Sequence, residues 1–228
     1  VFEVNYTEIG NSNDWAGKAN QGNSDIIMLG ARGLKDPNNV YVEGWGFAPV
    51  TKALNDAFLP NDPRKWTTII DHEEFRAEGG TVSSDVNQYT GYSVRKYHPR
   101  AGYSSTVGTD ALNYKNNYRV IRFSDVLLMA SEALLRSGGS VGEAQDYYAR
   151  VVKRAMGDDY KVPAVSLDNI YKERRYEFAM EGIRYWDLVR TNQAKDFIKG
   201  WDDTKKYLPI PQSEIDKSDG HLVQNPHF

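Results

Sequence analysis

The chain has 228 residues, enough for one sizeable domain in which folding buries roughly 70% of the surface of the unfolded chain. Its 28 basic and 31 acidic residues leave a net charge of −3, which offers no basic field for nucleic acid and no polybasic segment for acidic lipid. There is no cysteine, so disulfides and thiol chemistry are excluded, and apolar runs such as residues 126–130 are too short to span a bilayer.

In chain order, two compositions follow one another. Residues 1–117 are rich in Gly, Asn, Asp and Tyr, with short apolar runs at 1–6, 25–29, 40–42, 66–70 and 92–97 separated by turn-formers. The opening "VFEVNY" is strand-like from its first residue, an unusual place for a strand to begin, and predicts that further residues of the same protein lie upstream. A helix is expected over 49–58, where Pro49 suits the first turn and Val50, Ala53, Leu54 and Ala57 share a face. From residue 118 the helices lengthen. Ser124 is placed to cap a helix running to Arg136 that Gly138 and Gly139 end. Ser140 and Glu143 form a capping box for the next, whose apolar face is Ala144, Tyr147, Tyr148, Val151, Val152 and Ala155, so the two make an αα-hairpin. Ser166 starts a third helix to Glu181, Gly182 breaks it, and a fourth spans 184–198 before the loop "YLPIPQSEI" and a polar tail. The expected fold is mainly α with long irregular loops and a few short strands. It comprises a loop-rich ligand-binding region, 1–117, and a helical region, 118–228, joined as one unit.

The run "ERRYEFAMEGIRYWDLVR", residues 173–190, sets carboxylates beside guanidinium groups among aromatics. At about 100° per residue, Arg174, Glu177, Phe178 and Glu181 fall on the face of Ile170, while Lys172, Arg175 and Ala179 lie opposite. Charges that face a core must be paired. Glu173, Arg174, Glu177, Glu181 and Arg184 are therefore expected to form a buried ion-pair network that locks two helices around Gly182, in preference to acid/base machinery or a metal cage. Tyr118, Arg119 and Arg122 ahead of the first long helix are likewise read as packing residues.

Rival motifs are weak. "VYVEGWGFAPVTKAL" mimics a dinucleotide fingerprint, but Pro49 stands where the third glycine belongs. Asp71, His72, Glu73 and Glu74 of "DHEEF" point apart as sequence neighbours, with no second histidine at helical spacing to complete a metal site. His98, His221 and His227 accompany no nucleophile signature. No catalytic residue, cofactor or metal is expected.

Together with "YRVIRFSDVLLMASEALLR", "KKYLPIPQSEI" and "LVQNPHF", the 173–190 run resembles the carboxy-terminal region of the SusD/RagB family, surface nutrient-binding lipoproteins of Bacteroidota. "VFEVNY", "GWGFAPVTKALNDAFLPNDPRK" and "YTGYSVRKY" resemble the middle of the same family, so the likeness covers essentially the whole chain. It departs at the tail, where His227 replaces a usual glycine and "DKSDGHL" replaces an Asn-containing turn. The resemblance implies that the family's amino-terminal half, with its lipid-modified cysteine and most of its tetratricopeptide-like helices, would complete the protein. That protein would be anchored in the outer leaflet of the outer membrane. It would bind oligosaccharide, or peptide in the RagB-like branch, and hand it to a SusC-like TonB-dependent transporter; a glycoside hydrolase or esterase is the rival of another class.

Binding sugars requires aromatic platforms for the C–H faces of the rings and polar groups for their hydroxyls, held on loops. The candidates are Asn13 and Trp15 in "GNSNDWAGKANQGN", Tyr41 and Trp45 in "YVEGWGFAP", and Tyr103 in "HPRAGYSSTVGTD".

Overall fold

In the computed structural model, which describes residues 1–9, 15 and 20–228, turn residues keep the first elements short. These are β1 (Phe2–Val4), α1 (Asp25–Leu29), α2 (Lys52–Asn55), α3 (Arg64–Thr68), β2 (Ile69–Asp71), α4 (His72–Ala77), β3 (Tyr92–Val94) and β4 (Tyr118–Ile121). β1 pairs antiparallel with β4, and β2 with β3. Longer helices follow: α5 (Phe123–Ser137), α6 (Val141–Met156) and α7 (Leu167–Glu177), then α8 (Arg184–Arg190), α9 (Ala194–Phe197) and α10 (Gln212–Lys217). The fold is thus mainly helical with long loops and a few short strands. By proximity the chain divides into compact units Val1–Glu181 and Gly182–Phe228. The change at residue 118 is a change from loop to long helix within the first unit.

Caps read from the sequence act where a side-chain oxygen reaches a free helix N–H. Ser140 Oγ accepts from Glu143 N–H and Ser166 Oγ from Asn169 N–H, each at 3.2 Å, and Gly138 closes α5 in the left-handed conformation at φ +71°. Four expectations are corrected. Ser124 is not a cap: α5 starts one residue earlier, after Arg122, and the buried Ser124 hydroxyl accepts from Arg122 Nη1 at 2.8 Å. The helix expected over 49–58 shrinks to α2, because the Val50 N–H bonds to the Tyr92 carbonyl and its side chain enters a core cluster with Phe58, Ile69, Val94 and Ala179. α7 stops at Glu177, not Glu181; Met180 at φ +64° and Gly182 at φ +82° turn the chain, and Ala179, placed opposite the core by a continuous helix, joins that cluster. The helix expected over 184–198 is split into α8 and α9 at Asn192, φ +59°.

The α5–α6 hairpin closes over Ala144, Tyr148, Val151 and Val152 of α6, and Ser131 Oγ of α5 donates to the Ala144 carbonyl at 2.7 Å. α7 ties to α5 through Tyr171, whose hydroxyl donates to Glu132 at 3.2 Å. In the second unit, Tyr185 sits edge-on to Trp186 and Trp201, with centroids at 5.1 and 6.1 Å. There the Gln224 amide brackets Ile210 through its N–H and carbonyl, and Asn225 Nδ2 donates to the Leu208 carbonyl at 2.7 Å, so "QNPHF" fastens "YLPIP". His227 holds φ +76°, in the left-handed region that favours glycine.

Under the loops, His98 is fully buried and its tautomer is set by its neighbours. Nε2 accepts the Ala31 N–H at 2.9 Å, so Nδ1, 3.1 Å from the Pro99 carbonyl, carries the proton. Burial, aided by Arg95 and Arg100 against the Pro99 carbonyl and Asp36, pushes its pKa down to about 4. Burial also brings His72 down to about 4. Both values lie below the ~6.5 of an unfolded histidine, so between those limits the unfolded chain binds protons that the folded chain refuses. Stability is therefore full above pH ~6.5 and falls as pH drops toward 4, by roughly 3 kcal/mol for a site of this kind. Denaturant midpoints measured from pH 7 to 4 should show this decline, and His98→Gln should make it shallower while leaving the share of His72; an unchanged slope in the variant would show that His98 does not titrate this way.

Candidate functional site

The first unit carries a strip of aromatic rings built by close backbone approach. Residues 44–47 run beside α1 and the turn after it, with Gly44, Trp45, Gly46 and Phe47 N–H groups donating to the carbonyls of Ala31, Ile27, Gly30 and Met28 at 2.7–2.9 Å. Two glycines permit this: a Cβ on Gly44 would lie 2.4 Å from Gly30 Cα, and one on Gly30 would lie 2.4 Å from Pro99 Cδ. Trp45 packs on the cluster of Ile26, Ile27, Tyr97 and Tyr114. Its ring lies 5.2 Å from Trp15 and 5.8 Å from Phe47, at 37° and 56°. Trp15 is 48% and Phe47 67% exposed, so the strip presents aromatic surface to solvent.

Beside it opens a cavity of about 320 Å³, lined by Trp45 and Phe47 on one side and by Arg32, Val86, Asn87 and Gln88 among its other residues. Arg32, Asn87 and Gln88 are exposed, and no described acidic side chain lines the cavity. The arrangement suits a neutral ligand with flat apolar faces and many hydroxyls: rings stack on the indoles while guanidinium and amide groups take the hydrogen bonds.

Of the five residues singled out in the sequence, the structure brings Trp15 and Trp45 together. Asn13 lies outside the described residues. Tyr41 is a packing residue: its ring lies under the guanidinium groups of Arg95 and Arg100, 5.9 and 5.6 Å from its centroid, and edge-on to His98. Tyr103 is partly exposed under the Lys115 ammonium at 5.0 Å, and neither tyrosine lines the cavity. The cavity also brings in Phe47, Arg32, Asn87 and Gln88, which sequence reasoning did not single out. Phe47 was accessible, since it shares the Trp45 side of an extended segment; the others come from distant loops.

The 173–190 run is organised differently. Glu177, buried at the end of α7, receives Arg122 Nη1 at 2.9 Å, Arg154 Nη2 at 2.6 Å and Arg64 Nη1 at 3.2 Å. Burial pushes its pKa up, but Arg122, Arg154 and Arg64 together hold it at about 2. Glu181 takes two bonds from Arg122, at 2.8 and 2.9 Å, and one from Lys96 at 2.8 Å. Arg64 also pairs with Glu173, and with Asp62 at 2.7 Å. Arg174 pairs with Asp125 at 2.6 Å, and its guanidinium shares the Phe178 ring with that of Arg122, at 5.1 and 4.8 Å. Arg184 begins α8, and its guanidinium lies over the Phe197 ring at 4.9 Å. Asp71 of "DHEEF" caps α4 by accepting from the Glu73 and Glu74 N–H groups, and no group of potential metal ligands occurs among the described residues.

A model of the SusD family matches residues 68–206. The chain belongs to the SusD family. SusD-like protein P2 of Formosa agariphila is 22% identical over 222 residues, 88% of this chain and 44% of that protein. Among solved structures, surface glycan-binding protein A from Bacteroides thetaiotaomicron, in complex with laminarihexaose, is 34% identical with a TM-score of 0.83, over 99% of this chain and 51% of its own. A laminarin-binding SusD-like protein is 36% identical with a TM-score of 0.86, over 99% and 49%. This SusD-family chain therefore spans about half the length of these relatives.

Replacing Glu177 by Ala leaves Arg64, Arg122 and the partly exposed Arg154 around an empty position, and should destabilise the chain by roughly 3–5 kcal/mol. Denaturant unfolding checks this. A variant that unfolds like the parent but loses ligand would make Glu177 a binding residue instead.

Proposed function

We propose that this SusD-family chain binds oligosaccharide on the Trp15–Trp45–Phe47 strip, with Arg32, Asn87 and Gln88 holding hydroxyls, and that it does no chemistry on it. The observation that carries the reading is the exposed run of aromatic rings along a cavity whose described lining has donors and amides but no carboxylate pair. A glycosidase needs two carboxyl groups about 5–10 Å apart across a solvent-filled cleft. The carboxylates of the 173–190 run are instead occupied by guanidinium and ammonium groups. Two relatives at 34% and 36% identity are described with laminarihexaose and laminarin, which makes a laminarin-type oligosaccharide the ligand of choice. In the whole protein this surface would work at the outside of the outer membrane and deliver glycan to a TonB-dependent transporter.

The same reading assigns a partner to an apolar face. Phe2, Val4, Tyr118, Val120 and Ile121 of the β1–β4 pair, continued by Phe123, Val126 and Met129 of α5, are all exposed. Exposed apolar residues in this number on neighbouring elements call for a cover, and they would pack against the part of a full-length relative that lies beyond this chain. The 228-residue chain alone should bind hydrophobic dye or self-associate, and co-expression with the complementary half should give a monomeric complex. Sedimentation of the chain as a clean monomer without dye binding would overturn this assignment.

For the strip itself, calorimetry with laminarihexaose should show that Trp45→Ala and Phe47→Ala each weaken binding by roughly 1–3 kcal/mol, with little change in melting for the exposed Phe47 and a lower melting point for Trp45, which packs on the core. Affinity unchanged in both variants would place the ligand elsewhere.

A further inference from the structure

Next to the cavity at the strip lies a narrower hollow of about 20 Å³, room for one group of hydroxyl size. The two adjoin, since Arg32, Gly46, Pro49, Val86 and Asn87 line both. The inner wall of the hollow is the β2–β3 ribbon. Ser93 stands opposite Ile70 in the antiparallel register, and His72, two residues on from Ile70, falls on the same face, with its N–H continuing the ladder to the Gly91 carbonyl at 3.0 Å. The outer wall is the loop over 82–90. Arg76 ties that loop down by donating from Nη2 to the Val82 carbonyl at 3.0 Å and to the Tyr89 hydroxyl at 3.2 Å, and the Tyr89 ring lies 5.5 Å from that of His72.

The floor of this hollow calls for an occupant. The Ser93 hydroxyl and both ring nitrogens of His72 are buried and find no hydrogen-bond partner among the described residues. Leaving such groups unpaired is unfavourable. Around them the lining is largely apolar, with Leu29, Ala31 and Val82, and the charged side chain among its described residues, Arg32, is exposed. Burial, aided by Arg76, holds the His72 pKa at about 4, so at pH 7 the ring is neutral and offers one N–H and one lone pair. An ion at this depth would be desolvated without a buried countercharge. A methyl group would leave all three atoms unsatisfied, and a carbonyl would only accept. A hydroxyl both donates and accepts. Because the hollow is too small for a ring, the hydroxyl must arrive on a short arm.

We propose that this hollow, with Ser93 and His72 at its floor, is a specificity pocket that receives one hydroxymethyl arm of a sugar ring lying on the strip, so that the chain prefers oligosaccharides of hexopyranoses to those of pentopyranoses. The inference rests on the strip as the binding surface. Gly46, which lines both spaces, stands between Trp45 and Phe47 in the chain, so the neck of the pocket opens at the strip itself. The test is calorimetry on the full 228-residue chain with laminarihexaose and with β-1,3-linked xylohexaose, which has the same linkage but no hydroxymethyl arms. The parent is expected to bind laminarihexaose about tenfold more tightly, and Ser93→Ala and His72→Phe to cut that ratio to about threefold, by weakening laminarihexaose. Ser93→Ala removes a hydroxyl that has no partner, so its melting should match or exceed the parent's, which separates loss of the arm's contacts from loss of the fold. A ratio near one in the parent, or a ratio unchanged in both variants because water alone fills the hollow, would overturn the pocket and leave the strip standing. Binding of neither hexasaccharide would overturn the strip, and this inference with it.

Discussion

The first unit is organised around one buried carboxylate. Glu177 stands at the end of α7 and is met by guanidinium groups from α3, from the residue before α5, and from α6. These elements are far apart in the chain, and a side chain with a carboxylate can satisfy them together only if all three hold their places. Breaking such a site is costly because the remaining charges stay desolvated. That is how a loop-rich stretch with strands of three and four residues can be held in register with a helical scaffold.

The constraint extends toward the aromatic strip. Lys96 bonds Glu181 and the Glu177 carbonyl, and the next residue, Tyr97, belongs to the cluster with Ile26, Ile27 and Tyr114 on which Trp45 rests. The ion-pair network thus fixes the floor, the glycine approaches at Gly30 and Gly44 fix the height of the 44–47 segment above it, and the rings of Trp45 and Phe47 are left in the open. On the proposed reading, a flexible glycan would favour this design, since a platform already rigid adds little ordering cost on binding.

The helical half was legible wherever a local signal sufficed. Ser140, Ser166 and Gly138 act where their positions in the sequence put them, because capping needs only an oxygen or a glycine within a few residues of the helix end. The same local reasoning ran α7 too far, to Glu181. Periodicity continues through Phe178 and Ala179, but Ala179 is buried in the cluster with Val50, Phe58, Ile69 and Val94, and the chain turns at Met180. Val50 and Ser124 mislead for the same reason: each meets a partner, Tyr92 or Arg122, that a local rule does not weigh.

At the aromatic strip the division is sharper. By itself the sequence determined that a loop-rich region offers Trp15 and Trp45 at glycine-bracketed positions, that the chain has no basic field or thiol, and that the charges of α7 must be paired within the protein. Only the tertiary structure decided that Trp15 and Trp45 meet with Phe47, that Tyr41 is spent under Arg95 and Arg100, and that Arg32, Asn87 and Gln88 supply the polar edge. The reason is range. Helix caps, amphipathic faces and the need to pair a core-facing charge follow from the nearest few residues, whereas a binding surface is assembled from loops whose meeting depends on which buried groups, hundreds of atoms away along the chain, satisfy one another.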